Sequence, residues 1–419
     1  MVNQMQWVNA LSIRPSLEGA VIEVVDGVKK SLPQSPDLGI LFISSAYASD
    51  YSRLIPLILE KLSLPILIGC SGGGAIGMEN STQIIEVESG PVLSLTVASL
   101  PEVDVQPFYL TPENLPNPDS SPDAWSQLVG VPPQQHPHFI LLSDPFFPGI
   151  NDLLAGLDFA YPDSVKIGGL ASTGIMNVQS TLFYYTSEPS ELRLCNQGTV
   201  GIALNGNIIV ESIVAQGCRP IGQPYQITQG GRNVILQLGK LENMTQPIVN
   251  SSPLESLREL IKTLNKDDRQ LAEHSLFIGV VSDEFKYNLQ PGDFLIRNLV
   301  GVDPRVGAIA IGNRVRPGQR VQFHLRDAKT SADDLELLLR TYVTAGELDK
   351  KVQGALMFSC LGRGEALYNQ PNFDSGLFHH YLPQLPLGGF FCNGEIGPVG
   401  GQTFLHGYTS VFALFCQPN

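Results

Sequence analysis

The stretch 39-GILFISSAYASD-50 indicates a short buried strand, because it is an apolar run that ends in a serine and a polar loop. The same arrangement returns in 138-HFILLSDPFFPG-149 and in 354-GALMFSCLGRGE-365. A similar order in three places is hard to attribute to composition, so we interpret it as a repeated folding unit. An ordinary α/β alternation with recurring glycine turns is the alternative interpretation.

Each strand is expected to lead into a helix and then into a glycine-rich turn. The expected helices are Tyr51–Leu62, Asp152–Ala160 and Ser375–Leu382, with Asp50 and Asn151 as N-caps of the first two. The turns are 69-GCSGGG-74, 169-GLASTG-174 and 389-GFFCNG-394. Repetition of this strand–loop–helix–turn unit predicts that the loops gather near the ends of the strands.

Between these units the pattern favours antiparallel strands. The segment 199-TVGIALNGNIIVES-212 alternates apolar and polar residues around Asn205 and Gly206, which indicates a type I′ hairpin. The segments 90-GPVLSLTVASL-100 and 403-TFLHGYTSVFALF-415 are expected to be strands that close each half. We therefore predict an α/β fold of mixed α+β type, with mixed sheets and two pseudo-related halves.

A domain boundary is expected near residue 245, which gives an N-terminal domain over 1–245 and a C-terminal domain over 246–419. A helix capped by Ser252 is expected just after the boundary, and another is expected to begin at Ser331. Both helices carry an apolar stripe at helical spacing, so we assign them to the scaffold.

Composition limits the classes of function. The chain has 419 residues, 43% hydrophobic and 16% charged, which suits a compact protein, and its net charge of −14 argues against a nucleic-acid or anionic-membrane partner. No apolar run is long enough to span a bilayer, and no secretory signal is visible. The 6 cysteines never form a C-x-x-C pair, so we expect a reduced, cytoplasmic protein with no metal and no cofactor.

The segment 355-ALMFSCLGRGEAL-367 places Cys360 at the end of a strand, close to Arg363. A neighbouring cation could lower the pKa of the thiol, but a nucleophile also needs a base, and the sequence places no histidine beside it. A buried structural thiol and a wall of a ligand pocket are the other two interpretations, and all three stay open.

The ligand interpretation rests on glycine turns, whose backbone N–H groups can approach a ligand closely. Arg363 could present a fork to a carboxylate, Glu395 could pair with an amino group, and Asn393 can both donate and accept. Together these groups suit a zwitterion such as an amino acid. The alternative is that Arg363 and Glu395 bond each other or nearby backbone. Arg219 and the pair Arg326-Asp327 are weaker candidates, since Arg219 could simply tie loops together and Arg326-Asp327 could form an interdomain ion pair.

Several separate motifs resemble one known family. They are 216-QGCRPIG-222, 294-FLIRNLVGVDP-304, 323-FHLRDA-328, 360-CLGRG-364 and 388-GGFFCNGEIGPVGG-401. In this order they resemble the FIST domain, in its N-terminal and C-terminal parts, from about Asp37 to the end of the chain. The resemblance implies an intracellular sensory module for small ligands, amino acids among them. Similar modules in eukaryotes can follow an F-box and recruit substrates for ubiquitylation.

We therefore predict a small-ligand-binding sensory protein that acts in signal transduction. The expected ligand is a small polar metabolite such as an amino acid. No F-box-like segment precedes Asp37 and no output domain follows Phe415, so we expect a separate signalling protein as partner. The candidate ligand-binding residues are Cys360, Arg363, Gly364, Cys392, Asn393, Gly394, Glu395, Arg219, Arg326, Asp327, Cys70 and Ser71. A cysteine-dependent enzyme using Cys360 and a protein-recognition module are the alternatives.

Overall fold

The computed structural model describes residues 4–32, 34–80, 82–117, 119–174, 178–243, 246–345 and 350–418. Strand accounts for 43% of the chain and helix for 27%, so sheets form the frame and the fold is mixed α/β, as the sequence predicts. Strand pairing therefore decides where side chains meet.

Strands and helices both occur along the whole length of the chain. The strands are β1 Gln6–Ser12, β2 Leu38–Ser44, β3 Ile66–Gly72, β4 Ala75–Asn80, β5 Gln83–Val87, β6 Leu93–Ser99, β7 Val103–Leu110, β8 His138–Ser143, β9 Lys166–Leu170, β10 Leu182–Ser187, β11 Ser190–Cys195, β12 Thr199–Gly206, β13 Ile209–Ala215, β14 Cys218–Gly231, β15 Val234–Asn243, β16 Gln246–Ser251, β17 Leu276–Val281, β18 Phe294–Asp303, β19 Ala308–Ile311, β20 Arg320–Arg326, β21 Lys350–Cys360, β22 Leu387–Cys392, β23 Glu395–Val399, β24 Gln402–His406 and β25 Ser410–Pro418. The helices are α1 Leu17–Ser31, α2 Tyr51–Lys61, α3 Pro122–Val129, α4 Ile150–Ala160, α5 Pro253–Thr263, α6 Lys266–Ala272, α7 Ala328–Ala345, α8 Glu365–Tyr368 and α9 Phe373–Tyr381.

The chain divides into two compact units. Unit 1 is formed by Met1–Val214 and Leu338–Asn419, and unit 2 is Ala215–Leu337. The boundary that the sequence predicts near residue 245 falls on residues 244 and 245, which lie outside the described residues. Unit 1 is therefore assembled from both ends of the chain.

Unit 1 contains a parallel strand pair for each of the repeated stretches. The pairs are β2 with β3, β8 with β9, and β21 with β22. On its other side, the first strand of each pair lies antiparallel to β6, β12 or β25. The repeat thus gives three related parts inside one unit, which corrects the expectation of two pseudo-related halves of the chain.

The hairpin that follows each parallel pair joins a different sheet. Hairpin β4–β5 pairs with β22, hairpin β10–β11 pairs with β3, and hairpin β23–β24 pairs with β9. The resulting strand orders are β1-β6-β2-β3-β10-β11, β24-β23-β9-β8-β12-β7 and β13-β25-β21-β22-β4-β5. Each part therefore completes the sheet of another, in a cycle.

Glycine is required at one register position of each parallel pair. Gly69, Gly168 and Gly389 face the preceding strand at equivalent positions of the three ladders. A Cβ atom there would lie 2.3, 1.8 and 2.1 Å from the carbonyl oxygen of the paired residue, closer than any side chain can approach. The ladder aligns Gly168 with the other two, so the sequence alignment on Gly169 is shifted by one residue.

The three sheets of unit 1 share one apolar core. Its members include Ile40, Ile140 and Leu356, one from the first strand of each parallel pair. Phe42 stacks on Phe390 with the ring centroids 4.7 Å apart. Helices α1 and α2 cover the outer face of the first sheet, and α3 and α4 cover the second. These layers leave the ends of the parallel strands to the loops.

Helix starts differ from the sequence prediction at several points. Asp50 makes no side-chain capping bond to α2, and α4 begins at Ile150, so Asn151 lies inside its first turn. Helix α7 begins before Ser331, because the carboxylate of Asp327 accepts the N–H of Thr330 at 2.7 Å. The predicted cap at Ser252 is confirmed by its acceptance of the Glu255 N–H.

The predicted hairpin at Asn205 and Gly206 is wrong. Strand β12 lies between β7 and β8, whereas β13 lies beside β25 in another sheet. The predicted strand over 403–415 likewise divides into β24 and β25, which belong to different sheets. Turn residues redirect the chain locally, but pairing goes to the sheet that buries the apolar face of each strand.

Unit 2 is an antiparallel assembly whose strands form a ring. The order β14-β20-β17-β18-β19-β15 is closed by pairing of β14 with β15, and β16 extends it beside β15. Helix α5 packs Leu257 and Leu260 into the apolar cluster of this unit. Closure leaves few free strand edges in the described part of unit 2.

Candidate functional site

Cys360 and Cys392 end the third parallel pair and face each other in register. Cys392 is fully buried, and burial, followed by the charge of Glu395, raises the pKa of its thiol. Cys360 is half-buried, and its sulfur accepts the Gly362 N–H at 3.5 Å. Its own N–H donates to the carbonyl of Thr409 at 3.0 Å. Cys360 therefore bonds to the tight turn that follows it in the chain.

Arg363 is fully buried and meets a carboxylate of the protein itself. Its Nε donates to Asp374 Oδ2 at 2.6 Å and its Nη2 donates to Asp374 Oδ1 at 3.0 Å, which is the two-pronged geometry preferred by a guanidinium. Nη2 also donates to the Tyr368 hydroxyl at 2.6 Å, and Nη1 donates to the Tyr408 carbonyl at 3.4 Å. The predicted ligand fork is thus engaged with α9.

A second carboxyl group lies beside this ion pair. Glu86 of β5 is buried, and the Ser375 N–H donates to its Oε1 at 2.6 Å. Burial, and then the charge of Asp374, raise the pKa of Glu86 to about 7. Glu88 accepts the Glu365 N–H at 2.7 Å. Hairpin β4–β5 therefore holds the loop after Cys360 through carboxylates.

The remaining residues of this predicted group have separate roles. Glu395 is fully buried, and its Oε2 accepts the Thr409 N–H at 3.1 Å. Asn393 is exposed, and its N–H donates to the Leu170 carbonyl at 3.1 Å. A Cβ atom at Gly364 would lie 2.4 Å from Glu88 Oε1, so glycine is needed there for close approach. Gly394 accepts the Leu170 N–H at 2.8 Å.

The three glycine-rich turns bond to one another, as the repeat predicts. Ser71 is buried, and its Oγ donates to the Ser172 carbonyl at 3.1 Å. The Gly73 N–H donates to Ser172 Oγ at 2.8 Å, and that hydroxyl donates to the Phe391 carbonyl. Cys70 is fully buried, and burial raises the pKa of its thiol. These bonds make the junction of the turns a rigid, internally satisfied region.

Arg219, Arg326 and Asp327 belong to unit 2, whereas the other predicted site residues belong to unit 1. The Arg219 guanidinium pairs with Asp268 and also with Asp327, whose Oδ2 lies 3.3 Å from its Nε. Arg326 is buried at the end of β20, and its N–H donates to the Ser275 carbonyl at 3.2 Å. Asp327 therefore both pairs with Arg219 and caps α7.

A cleft of about 660 Å³ lies along β1 in unit 1, and the sequence analysis assigns no role to that strand. Its walls are β1, α1, the tip of hairpin β4–β5, and a segment after α9 that includes Gln384. Ligand sites for small molecules measure roughly 300–1,000 Å³, so the cleft has a suitable size. A polar residue inside an apolar run, Asn9 in 6-QWVNALS-12, is the signal that could have found it.

The floor of this cleft is held rigidly by Asn9. Its Nδ2 donates to Ser94 Oγ at 3.0 Å and to Thr96 Oγ1 at 2.8 Å, and its Oδ1 accepts the Met78 N–H at 2.7 Å. The amide therefore connects β1, β6 and β4 through three hydrogen bonds. The floor is preorganised for whatever the cleft binds.

Charged groups of both signs line the cleft. Glu23 accepts the Ser12 hydroxyl at 2.5 Å and pairs with Arg14, while Lys30 and Glu79 are exposed. At the other end of β1, Gln6 donates through Nε2 to the Ser31 carbonyl at 3.0 Å. Because α1 runs back along β1, Glu23 lies at the Ser12 end of the cleft and Lys30 at the Gln6 end. The site can accept an ammonium group at one end and a carboxylate at the other.

Two other cavities have less suitable chemistry. One of about 260 Å³ lies between α1 and α2, with Val28 and Leu62 in its lining, and one of about 500 Å³ in unit 2 is lined by residues that include Tyr287 and Gln322. No cluster of metal-ligating side chains occurs among the described residues. The described helices include none that is both long and apolar enough to cross a membrane.

Two family models match the chain. One describes the FIST N domain and matches residues 37–240, and the other describes the FIST C domain and matches residues 253–398. The strand-rich α/β architecture and these two matches place the protein in a class of two-part FIST modules. The chain belongs to the FIST family. FIST domains are associated with sensory signal transduction.

Relatives of similar length are known in mycobacteria. The uncharacterized protein Rv0628c of Mycobacterium tuberculosis is 32% identical over 408 residues, which cover 97% of this chain and 98% of the relative. The uncharacterized protein Mb0898c of Mycobacterium bovis is 31% identical over 402 residues, with 96% of each chain covered. The human F-box only protein 22 is 35% identical over 295 residues, which cover 64% of this chain and 61% of that protein.

Proposed function

We propose that this FIST protein binds a small polar ligand in the cleft along β1 and reports its presence to a separate signalling partner. The ligand class is an amino acid or a similar zwitterionic compound. The observation that carries the proposal is a ligand-sized cleft with the carboxylate of Glu23 at one end and the ammonium group of Lys30 at the other. The family's association with sensory signal transduction supports the same conclusion.

The residues predicted around Cys360 act in this proposal as the support of the site. Hairpin β4–β5, whose tip forms one wall of the cleft, is fixed at its other end by Glu86 and Glu88. Their partners lie on α9 and at the start of α8, which follows the loop at Arg363. A shift of the hairpin tip on ligand binding would therefore reach that loop, which we propose as the route to the partner surface.

Titration calorimetry against a panel of amino acids and polar metabolites tests the proposal. We expect at least one zwitterion to bind, and we expect Lys30→Ala to weaken it about 10-fold, since a charged hydrogen bond is worth about 1.5 kcal/mol. Lys29→Ala is the matched control, because Lys29 is the exposed neighbour in the same helical turn and does not line the cleft.

Two results would overturn the proposal. The first is a panel without any binder and without any rise in the thermal unfolding temperature. The second is a binder whose affinity falls equally in Lys29→Ala and Lys30→Ala, which would place the site elsewhere on the protein.

A protein-recognition module is the second candidate function. It is favoured by the similarity to F-box only protein 22, which covers 64% of this chain. By its printed name that relative carries an F-box. In this case the chain would bind a segment of another protein rather than a metabolite, and immobilised protein would retain a partner that the cleft variants lose.

A further inference from the structure

The outer edge of β1 carries a row of unpaired backbone groups. Strand β1 is the end strand of its sheet and pairs only with β6 among the described strands. The Ser44 N–H donates to the Val92 carbonyl, so even-numbered residues of β6 point toward β2 and odd-numbered ones point toward β1. Through the β1–β6 register, the N–H and C=O groups of Trp7, Asn9 and Leu11 then point away from the sheet.

These groups face the cleft. Within the described residues, no hydrogen bond involves the backbone N–H or C=O of Trp7, Asn9 or Leu11 on that side. The cleft is lined by every residue of β1 and by Ile13 beyond it, so it follows the whole edge. A strand edge with alternating donors and acceptors that borders a cleft is a template to which another extended backbone adds.

The charges at the ends of the cleft have a fixed polarity. Glu23 and Lys30 lie seven residues apart on α1, which separates them by about 10 Å along the helix axis. A chain of four to six extended residues spans about 13–20 Å and reaches both ends.

We propose that the ligand of the cleft is a short extended peptide with free termini, which adds to β1 as an antiparallel strand. Its ammonium group lies near Glu23 and its carboxylate near Lys30, and the direction from Glu23 to Lys30 is opposite to that of β1. This inference rests on the proposed function, since it specifies what the cleft binds.

The walls also define the side chains of such a peptide. An added strand continues the two faces of β1, so alternate side chains face α1 and the tip of hairpin β4–β5. The α1 side presents Glu23 and Lys30, and the hairpin side presents Met78 and Ile85. Peptides with alternating polar and apolar residues are the expected class.

The experiment uses the full chain and a synthetic library of free-ended pentapeptides with alternating polar and apolar residues. The tightest member is then made in two N-methylated forms, which carry methyl groups on its odd-numbered or on its even-numbered residues. Antiparallel pairing places the N–H groups of only one set on β1. We expect one form to lose at least 10-fold in affinity and the other to bind as the parent does.

Two further measurements locate the peptide. Residue-resolved hydrogen exchange should slow about 10-fold at Trp7, Asn9 and Leu11 and stay unchanged at Val8 and Ala10, which already pair with β6. Amidation of the peptide C-terminus should cost about 10-fold with the natural chain and nothing with Lys30→Ala.

The outcomes separate the two proposals. Equal binding of both N-methylated forms, or single amino acids that bind as tightly as the pentapeptides with the same dependence on Lys30, would overturn the peptide inference and leave the proposed function standing. A failure of amino acids and pentapeptides alike to bind the cleft would overturn both. The alternating exchange pattern, with one affected methylated form, supports strand addition.

Discussion

Arg363 in unit 1 and Arg219 in unit 2 are the same side chain in two different environments. Both guanidinium groups pair with carboxylates of the protein, Arg363 with Asp374 and Arg219 with Asp268 and Asp327. The side chain of Arg363 is 0% exposed, whereas that of Arg219 is 34% exposed. Water therefore cannot replace Asp374 beside Arg363, whereas it can replace the carboxylates beside Arg219.

Burial distinguishes charged residues that stabilise the fold from charged residues that remain accessible for function. A buried ion pair is required for the stability of the fold, because either partner alone would be an uncompensated charge in a medium of low dielectric constant. A half-exposed pair contributes little and is screened by salt. The sequence shows each arginine in a turn-like segment but not its burial, and only burial separates the two.

Arg363→Ala should produce the largest effect. It leaves Asp374 buried without its cation, and we expect the free energy of unfolding to fall by about 3–5 kcal/mol, measured by urea denaturation. Arg305→Ala is the matched control, because Arg305 pairs with Asp303 but is 87% exposed, and its loss should leave stability unchanged. If the two variants were equally stable, burial would not determine how much an ion pair contributes to stability.

Glu86→Gln should have the next largest effect, with the opposite sign. The folded protein keeps a proton on Glu86 that the unfolded chain releases between pH 4.5 and about 7, so the stability of the natural chain falls as the pH rises through that window. The amide cannot ionise, and we expect it to raise the free energy of unfolding above that window by roughly 2–3 kcal/mol.

The measurement is a series of urea denaturation curves across that pH window. Glu79→Gln provides the control, since Glu79 lies on the same hairpin but is exposed. The two curves for Glu86→Gln and the natural chain should meet near the acid end and separate toward neutral pH. Parallel curves would show that the buried cluster around Arg363 carries no excess negative charge.

Arg219→Ala should have the smallest effect, about 1 kcal/mol or less. Its pairs are partly exposed, so about 1 M sodium chloride should reduce the difference further, whereas the loss in Arg363→Ala should persist in the same salt. A loss of several kcal/mol at Arg219 that salt does not change would place this arginine in the buried class.

The sequence predicts the repeated strand and its glycine turn because both are local patterns. Buried runs, turn residues and the cap at Ser252 depend on neighbours a few positions away. The exchange of hairpins between sheets is not predictable in this way, because β4 and β22 meet across most of the chain. For the same reason the alternation around Asn205 and Gly206 does not show that β12 and β13 belong to different sheets.

In the candidate site, too, the sequence predicts local features but not contacts between distant residues. The sequence places Arg363 at a tight turn between two glycines, but it does not show that Asp374 fills the guanidinium fork. The cleft along β1 depends on an edge left open by the sheet order, and strand order is a property of the whole fold. In the sequence Lys30 and Glu79 look like ordinary surface residues. Only the open edge of β1 shows that they line a cleft.

The cyclic exchange of hairpins also fixes the timing of folding during synthesis. Strand β4 emerges from the ribosome early, but its partner β22 belongs to the last part of the chain. Until then the outer side of β4 is an unpaired strand edge, the kind of surface that joins other nascent chains. Unit 1 cannot close before β22 has been synthesised, so this edge of β4 stays without its partner until then.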